Sequence, residues 1–222
     1  MKILSILVIT LLSLISTAQI EESVGNFDTI KVYDLITVNL VKSDENKIVI
    51  TGEDASYVEF VQKNGILKIR MEFEKSFDGT ETFVHVHYKE LATIDGNEGS
   101  VITSNELIEQ EQIELCTQEG ATIRAGVKVD LLKVRAVTGG IMEISGTTDH
   151  QQVTVNTGGI VENEKLRSNH TSVTVKAGGE VEVTATESVD VDIKAGGDVI
   201  VYGNPNKVRK KTFAGGSISI QK

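Results

Sequence analysis

Five glycine pairs, Gly139-Gly140, Gly158-Gly159, Gly178-Gly179, Gly196-Gly197 and Gly215-Gly216, recur at steps of 19, 20, 18 and 19 residues, counted from the second glycine of each. Each pair sits between two runs of alternating apolar and polar residues. Two degenerate copies, Glu98-Gly99 and Glu119-Gly120, extend the series upstream, so seven rungs of 18–21 residues are visible. Such regularity is the mark of an internal repeat. A unit of this length is too short for a strand, helix and strand, which needs about 30 residues or more. The period-two alternation excludes helical repeats. What remains is a β-solenoid, a coil of two or three short strands per turn, each stacked in parallel on its counterpart one rung away. The glycine pairs supply its corners, where positive φ or close approach is needed. Parallel crossovers are right-handed in the great majority of cases, so the expected fold is an all-β, right-handed parallel β-helix.

The alternation sorts residues into columns. Before the glycines, Val134, Val153, Val173 and Val191 align, followed by Ala136, Val155, Val175 and Ile193. After them, Met142, Val161, Val181, Val199 and Ile218 align, followed by Ile144, Val183, Val201 and Ile220. These columns are expected to face inward. Arg124 and Asn163 interrupt the last one, which requires either a slip of register or a satisfied polar side chain inside. Counted from the second glycine, Cys116 falls in the column of Ala136, which predicts a buried, inert thiol. As the only cysteine it can form no intrachain disulfide.

The rest of the chain is read by composition. Lys2, the apolar run Ile3 to Ile15 and the small residues Ser16-Thr17-Ala18 form an export signal, with cleavage expected after Ala18. The apolar run is well short of the roughly 20 residues that span a bilayer as a helix. Residues 19–222 are expected to form one domain, with an irregular strand-rich part over 24–91 and the regular solenoid over 92–222. Within the first part, Asn64-Gly65 suits a two-residue type I′ hairpin turn. Without residues 1–18 the charge is 21 − 32, or −11. An acidic chain of this kind lacks the basic patch that binds nucleic acid or anionic membrane. Its one basic run, Lys207 to Lys211, reads as a solvated end strand.

Candidate sites lie on the outward columns. Glu143, Glu162 and Glu182 form one acidic column, with Glu180 and Asp198 two positions earlier on neighbouring rungs. Such a row could hold Ca²⁺, since hard cations take several carboxylate oxygens. His85 and His87 share one face of a strand and could bind Zn²⁺ or Cu²⁺ if a third ligand arrived from a neighbour. His150 and His170 lie in polar turns and read as solvent residues. No cofactor motif is present. The alternative to a binding protein is a carbohydrate-active enzyme, a polysaccharide lyase or glycosidase. Glycoside hydrolysis needs two distinguished carboxylates in a cleft, and no pair stands out among so many acids. The near-constant rung length also leaves no long loops to build a cleft. Flat aromatic platforms for sugar are missing from the ladder, which has no Phe, Tyr or Trp between residues 92 and 201.

Four segments, taken in order with the glycine pairs, carry a resemblance to a known family. They are Phe27-Asp28-Thr29-Ile30-Lys31-Val32, Gly65-Ile66-Leu67-Lys68-Ile69, Leu91-Ala92-Thr93-Ile94-Asp95-Gly96 and Tyr202-Gly203-Asn204-Pro205. Together they make the chain similar to the auto-transporter adhesin head domain, or head GIN domain, of exported Bacteroidetes proteins. That resemblance implies a β-helical fold, a periplasmic, outer-membrane-surface or secreted setting, and an adhesin-like role. The Gly-Ile-Asn tripeptide is replaced by Gly140-Ile141-Met142 and Gly159-Ile160-Val161. No run of strands suited to a membrane barrel follows the last rung, so self-transport is not expected of this sequence. The resulting expectation is an exported, non-enzymatic solenoid that binds an envelope or extracellular protein or glycan, or further copies of itself, through flat faces or ends.

Overall fold

The computed structural model describes residues 19–221. The export signal read at residues 1–18 lies outside them. The first eight strands are β1 (Ile20–Ser23), β2 (Thr29–Val32), β3 (Thr37–Lys42), β4 (Lys47–Gly52), β5 (Val58–Lys63), β6 (Ile66–Met71), β7 (Thr82–Tyr88) and β8 (Thr93–Gly96). Five long strands follow: β9 (Val101–Thr117), β10 (Thr122–Val137), β11 (Ile141–Asn156), β12 (Ile160–Val175) and β13 (Glu180–Ala195). β14 (Asp198–Tyr202), β15 (Lys207–Ala214) and β16 (Ser217–Ile220) complete the set.

β9 to β13 stack in parallel, each on the one before, and form the β-solenoid that the repeat predicts. Each rung is a single strand of 16 or 17 residues rather than two or three short ones.

The tight corner between rungs explains the glycines. It takes two successive residues of positive φ, as at Thr138 (48°) and Gly139 (73°), or Thr157 (51°) and Gly158 (74°). The second glycine of these pairs has a different task. A Cβ on Gly140 would lie 2.6 Å from the Thr117 carbonyl carbon, and one on Gly159 would lie 2.3 Å from the Ala136 oxygen. At these two corners the backbone packs too closely on the rung below for a Cβ. In the degenerate copies the small buried residues Ser100 and Ala121 fill this position.

Gly120 is therefore the counterpart of Gly139, not of Gly140. That one-residue difference exchanges the two faces of the strand. Cys116 pairs with Arg135 and Arg124 with Glu143, so both point outward, which corrects the inward placement of each. The four valine-rich columns lie as expected. Val134, Val153, Val173 and Val191, for example, are at most 2% exposed. At roughly 1.5–3 kcal/mol for each large aliphatic side chain removed from water, these columns hold the stack together.

Two buried amides interrupt this core. For Asn163 the register slip occurs, between Met142 and Gly146 of β11 and their β12 partners, and the side chain is half satisfied: fully buried, its Oδ1 accepts a hydrogen bond from the Ile144 N–H (3.0 Å) while its Nδ2 has no partner within the protein. Gln151 is also buried, in register with Leu132 on one side and Thr171 on the other.

The strand-rich start is less regular in its connectivity, yet it extends the same coil. β2 lies in parallel between β6 and β8, and β3 between β7 and β9, so an early segment is inserted out of sequence order. The buried Asp34 carboxylate joins these layers by accepting from the N–H groups of Met71 and Phe77, each at 3.0 Å. Antiparallel strands finish this end: β5 pairs with β6, β4 with β7 and β1 with β4. The β5–β6 turn has positive φ at Asn64 (53°) and Gly65 (78°), as a type I′ hairpin requires. At the opposite end β14 and β15 share one rung on β13, with β16 on β14. The basic run lies in β15, which is exposed along its whole length.

Candidate functional site

Alternation along the first halves of β10 to β13 turns every second side chain outward, and the in-register stack aligns these into rows. Arg124 and Glu143 are register partners, as are Glu162 and Glu182, and the β11–β12 register slips between the two pairs. Glu180 and Asp198 are register partners in the neighbouring outward row. Neighbouring strands lie about 4.8 Å apart, a spacing at which like charges repel modestly. The row is relieved at both ends. The Arg124 guanidinium donates to Glu143 at 2.8 Å, an ion pair that raises the arginine pKa, and the Tyr202 hydroxyl donates to Glu182 at 3.4 Å. In the adjacent row the Ser217 hydroxyl donates to Asp198 at 2.6 Å.

Beside the row runs an open depression of about 640 Å³. Its floor and walls include Thr103, Asn105, Arg124, Gly126, Ser145 and the three stacked glutamates. The β12 bulge builds one lip by pushing the consecutive residues Glu164 and Lys165 into solvent. Thr184 Oγ1 holds that lip by donating to the Glu164 carbonyl at 2.6 Å. The result is a long, shallow, carboxylate-lined groove, a form suited to a cationic or extended partner. Sequence periodicity found the row but missed the groove, because the bulge is a departure from the period.

The histidines are distributed differently from expectation. His85 and His87 point outward from β7 as alternation requires. Their register neighbours are Asn39 and Val49 for His85, and Val41 and Lys47 for His87. His85 lies 3.3 Å from the Asn39 amide, and burial, with Lys47 nearby, lowers the His87 pKa. None of these four neighbours is a ligand of the kind sought. His150 and His170, read as separate solvent residues, are register partners on β11 and β12. Their rings stack with centroids 4.8 Å apart and planes at 24°. Their 20-residue separation matches one rung, which is the signal that could have joined them.

Cys116 is half-buried, and desolvation, reinforced by Glu114 and Asp95, pushes its thiol up to about 11. Among the described residues no helix is long and apolar enough to cross a membrane.

Similar folds are known. The structure of a putative adhesin from Bacteroides fragilis NCTC 9343 superposes with a TM-score of 0.84 at 16% identity, covering 92% of this chain and 96% of that one. A putative adhesin from Parabacteroides distasonis ATCC 8503 gives 0.74 at 18% identity over the same shares. A putative lipid binding protein from the same strain gives 0.70 at 18% identity, again over 92% and 96%. No curated protein matches the chain. The family model for "putative auto-transporter adhesin, head GIN domain" matches residues 26–205, and the chain belongs to that family.

Proposed function

We propose that this protein is an exported, non-enzymatic interaction module of the adhesin type. It engages an envelope or extracellular protein or glycan through its outer surface, along the groove beside Glu143, Glu162 and Glu182. Membership of a family described as adhesin heads supports the general role. The observation that carries the choice of surface is the convergence of Glu143, Glu162 and Glu182 on one open groove, with Glu162 and Glu182 in register. A rigid parallel stack holds such a row at fixed spacing, so charge complementarity is presented without ordering a loop on binding. With Arg124 engaged by Glu143, Glu162 and Glu182 are the carboxylates left to meet a cationic group, or Ca²⁺ shared with an anionic glycan.

Glycan-array and pull-down screening of the purified protein, run beside a turnover assay on acidic polysaccharides, tests this reading. Retained binding partners with no cleavage products are expected. Products that disappear in Glu162→Gln or Glu182→Gln would instead establish the polysaccharide-cleaving alternative. Calorimetry with Ca²⁺ checks the cation separately, and no heat at millimolar Ca²⁺ would retire it.

A further inference from the structure

We infer that the outer surface where the middles of β11 and β12 stack carries a site for a divalent transition metal, Zn²⁺ in the first instance, held by Asp149, His150 and His170. The ligand atoms of these three side chains all lie within 4.8 Å of one another, and among the described residues no other group of three His, Cys, Asp or Glu side chains converges in this way. Borderline cations favour imidazole nitrogen together with carboxylate oxygen, which is the donor set present.

The site is assembled by register. His150 and His170 are partners on adjacent rungs, and the next residue in that row is Ser188 on β13. Already Asp149 Oδ2 lies 3.2 Å from His150 Nε2. A further carboxylate, Glu187, lies beside the group, its Oε2 3.5 Å from His170 Nε2. Zinc takes its nitrogen ligands at about 2.0–2.1 Å in a tetrahedron, which places donor atoms about 3.3 Å apart. The stacked rings must therefore tilt further toward one another. Both side chains are outside the core, 55% and 37% exposed, and are free to do so.

A supporting layer orients these ligands. Ser188 Oγ is 2.9 Å from His170 Nδ1. With a metal on Nε2, Nδ1 carries the proton and donates to that hydroxyl, which fixes the ring. Asn169 Nδ2 donates to Asp149 Oδ1 at 2.8 Å, and the Thr186 hydroxyl donates to Asn169 Oδ1 at 3.1 Å. Asp149 is thus aimed by a chain of hydrogen bonds that reaches back to β13. A bound ion would tie β11 and β12 together and stabilise the fold by mass action.

Calorimetry with ZnCl₂ on the chain without an affinity tag, together with Co²⁺ absorption and thermal unfolding, tests the site. One equivalent of Zn²⁺, a Co²⁺ spectrum of nitrogen and oxygen ligands, and a metal-dependent rise in unfolding midpoint are expected. His150→Ala and His170→Ala should each abolish the Co²⁺ spectrum while leaving the metal-free circular dichroism unchanged. Asn169→Ala should weaken binding about 10- to 100-fold through the loss of ligand orientation. His85→Ala/His87→Ala should have no effect. The inference is overturned if Zn²⁺ at 1 mM produces neither heat nor a midpoint shift, or if binding survives His150→Ala/His170→Ala.

Discussion

Replacing Gln151 by methionine should make the protein more stable. The side chain is 1% exposed, and neither its Nε2 nor its Oε1 has a hydrogen-bond partner within the protein. Leu132, in register on the rung below, is fully buried, and Thr171, on the rung above, is 4% exposed. A buried polar group left unpaired costs about 1–3 kcal/mol. A replacement of similar shape typically costs under about 1.5 kcal/mol in imperfect packing. The expected net gain is about 1–2 kcal/mol, equivalent to about 2–8 °C in the unfolding midpoint of a domain this size. Asn163→Leu is the contrasting control. The Asn163 Nδ2 is also buried without a partner, but its Oδ1 accepts from the buried Ile144 N–H at the β12 bulge, so relief at one atom is offset by loss at the other and the midpoint should rise less than for Gln151→Met. Thermal unfolding followed by circular dichroism reads both. Should Gln151→Met lower the midpoint, or should Asn163→Leu raise it by more than Gln151→Met does, the assignment of partners in this core is wrong.

Other consequences are quickly checked. Gly159→Ala drives a Cβ to within 2.3 Å of the Ala136 oxygen and should cost about 3 kcal/mol or more, whereas Gly158→Asn, at φ 74° with nothing within 4 Å, should cost under about 1 kcal/mol, as denaturant titration can compare. Cys116, with its thiol pushed up to about 11, should react with iodoacetamide at pH 8 on the order of 100-fold more slowly than free cysteine and at the ordinary rate once unfolded. The side-chain hydrogen bond from Arg209 holds the Asp190 carboxyl below its usual range. A depressed carboxylate contributes stability above its unfolded pKa, about 3.9, and loses it as pH falls through the folded value. Arg209→Ala should therefore lower the unfolding midpoint slightly at neutral pH and not at all at strongly acid pH.

The sequence carries the fold in its period. Alternation identified the inward columns because a valine placed outward leaves apolar surface in water on every rung. Register was the weak point. Glycine pairs mark a corner without saying which glycine takes positive φ and which merely lacks room for a side chain. That ambiguity of one residue misplaced Cys116 and Arg124, both beside the copies with a single glycine. The same limit governed the sites. The glutamate row follows from the period and was legible. The groove depends on an extra residue in β12, and the His150–His170 pair on register through the middles of β11 and β12, where inward positions include Thr148 and Ser168 and do not advertise themselves as core. Nor could local alternation show that β2 and β3 slip between later strands, since parallel pairing across 60 residues leaves no trace in either segment.

The central functional claim is that recognition uses the outward glutamate row. Its most direct measurement is the affinity of the protein for a partner recovered in the binding screen, compared with that of a Glu143→Gln/Glu162→Gln/Glu182→Gln variant at low and high salt. The account predicts at least tenfold weaker binding by the variant at low salt, with the difference shrinking as ions screen the exposed charges. A variant that binds as tightly as the native protein, at both salt concentrations, would contradict it and move recognition to another surface of the coil.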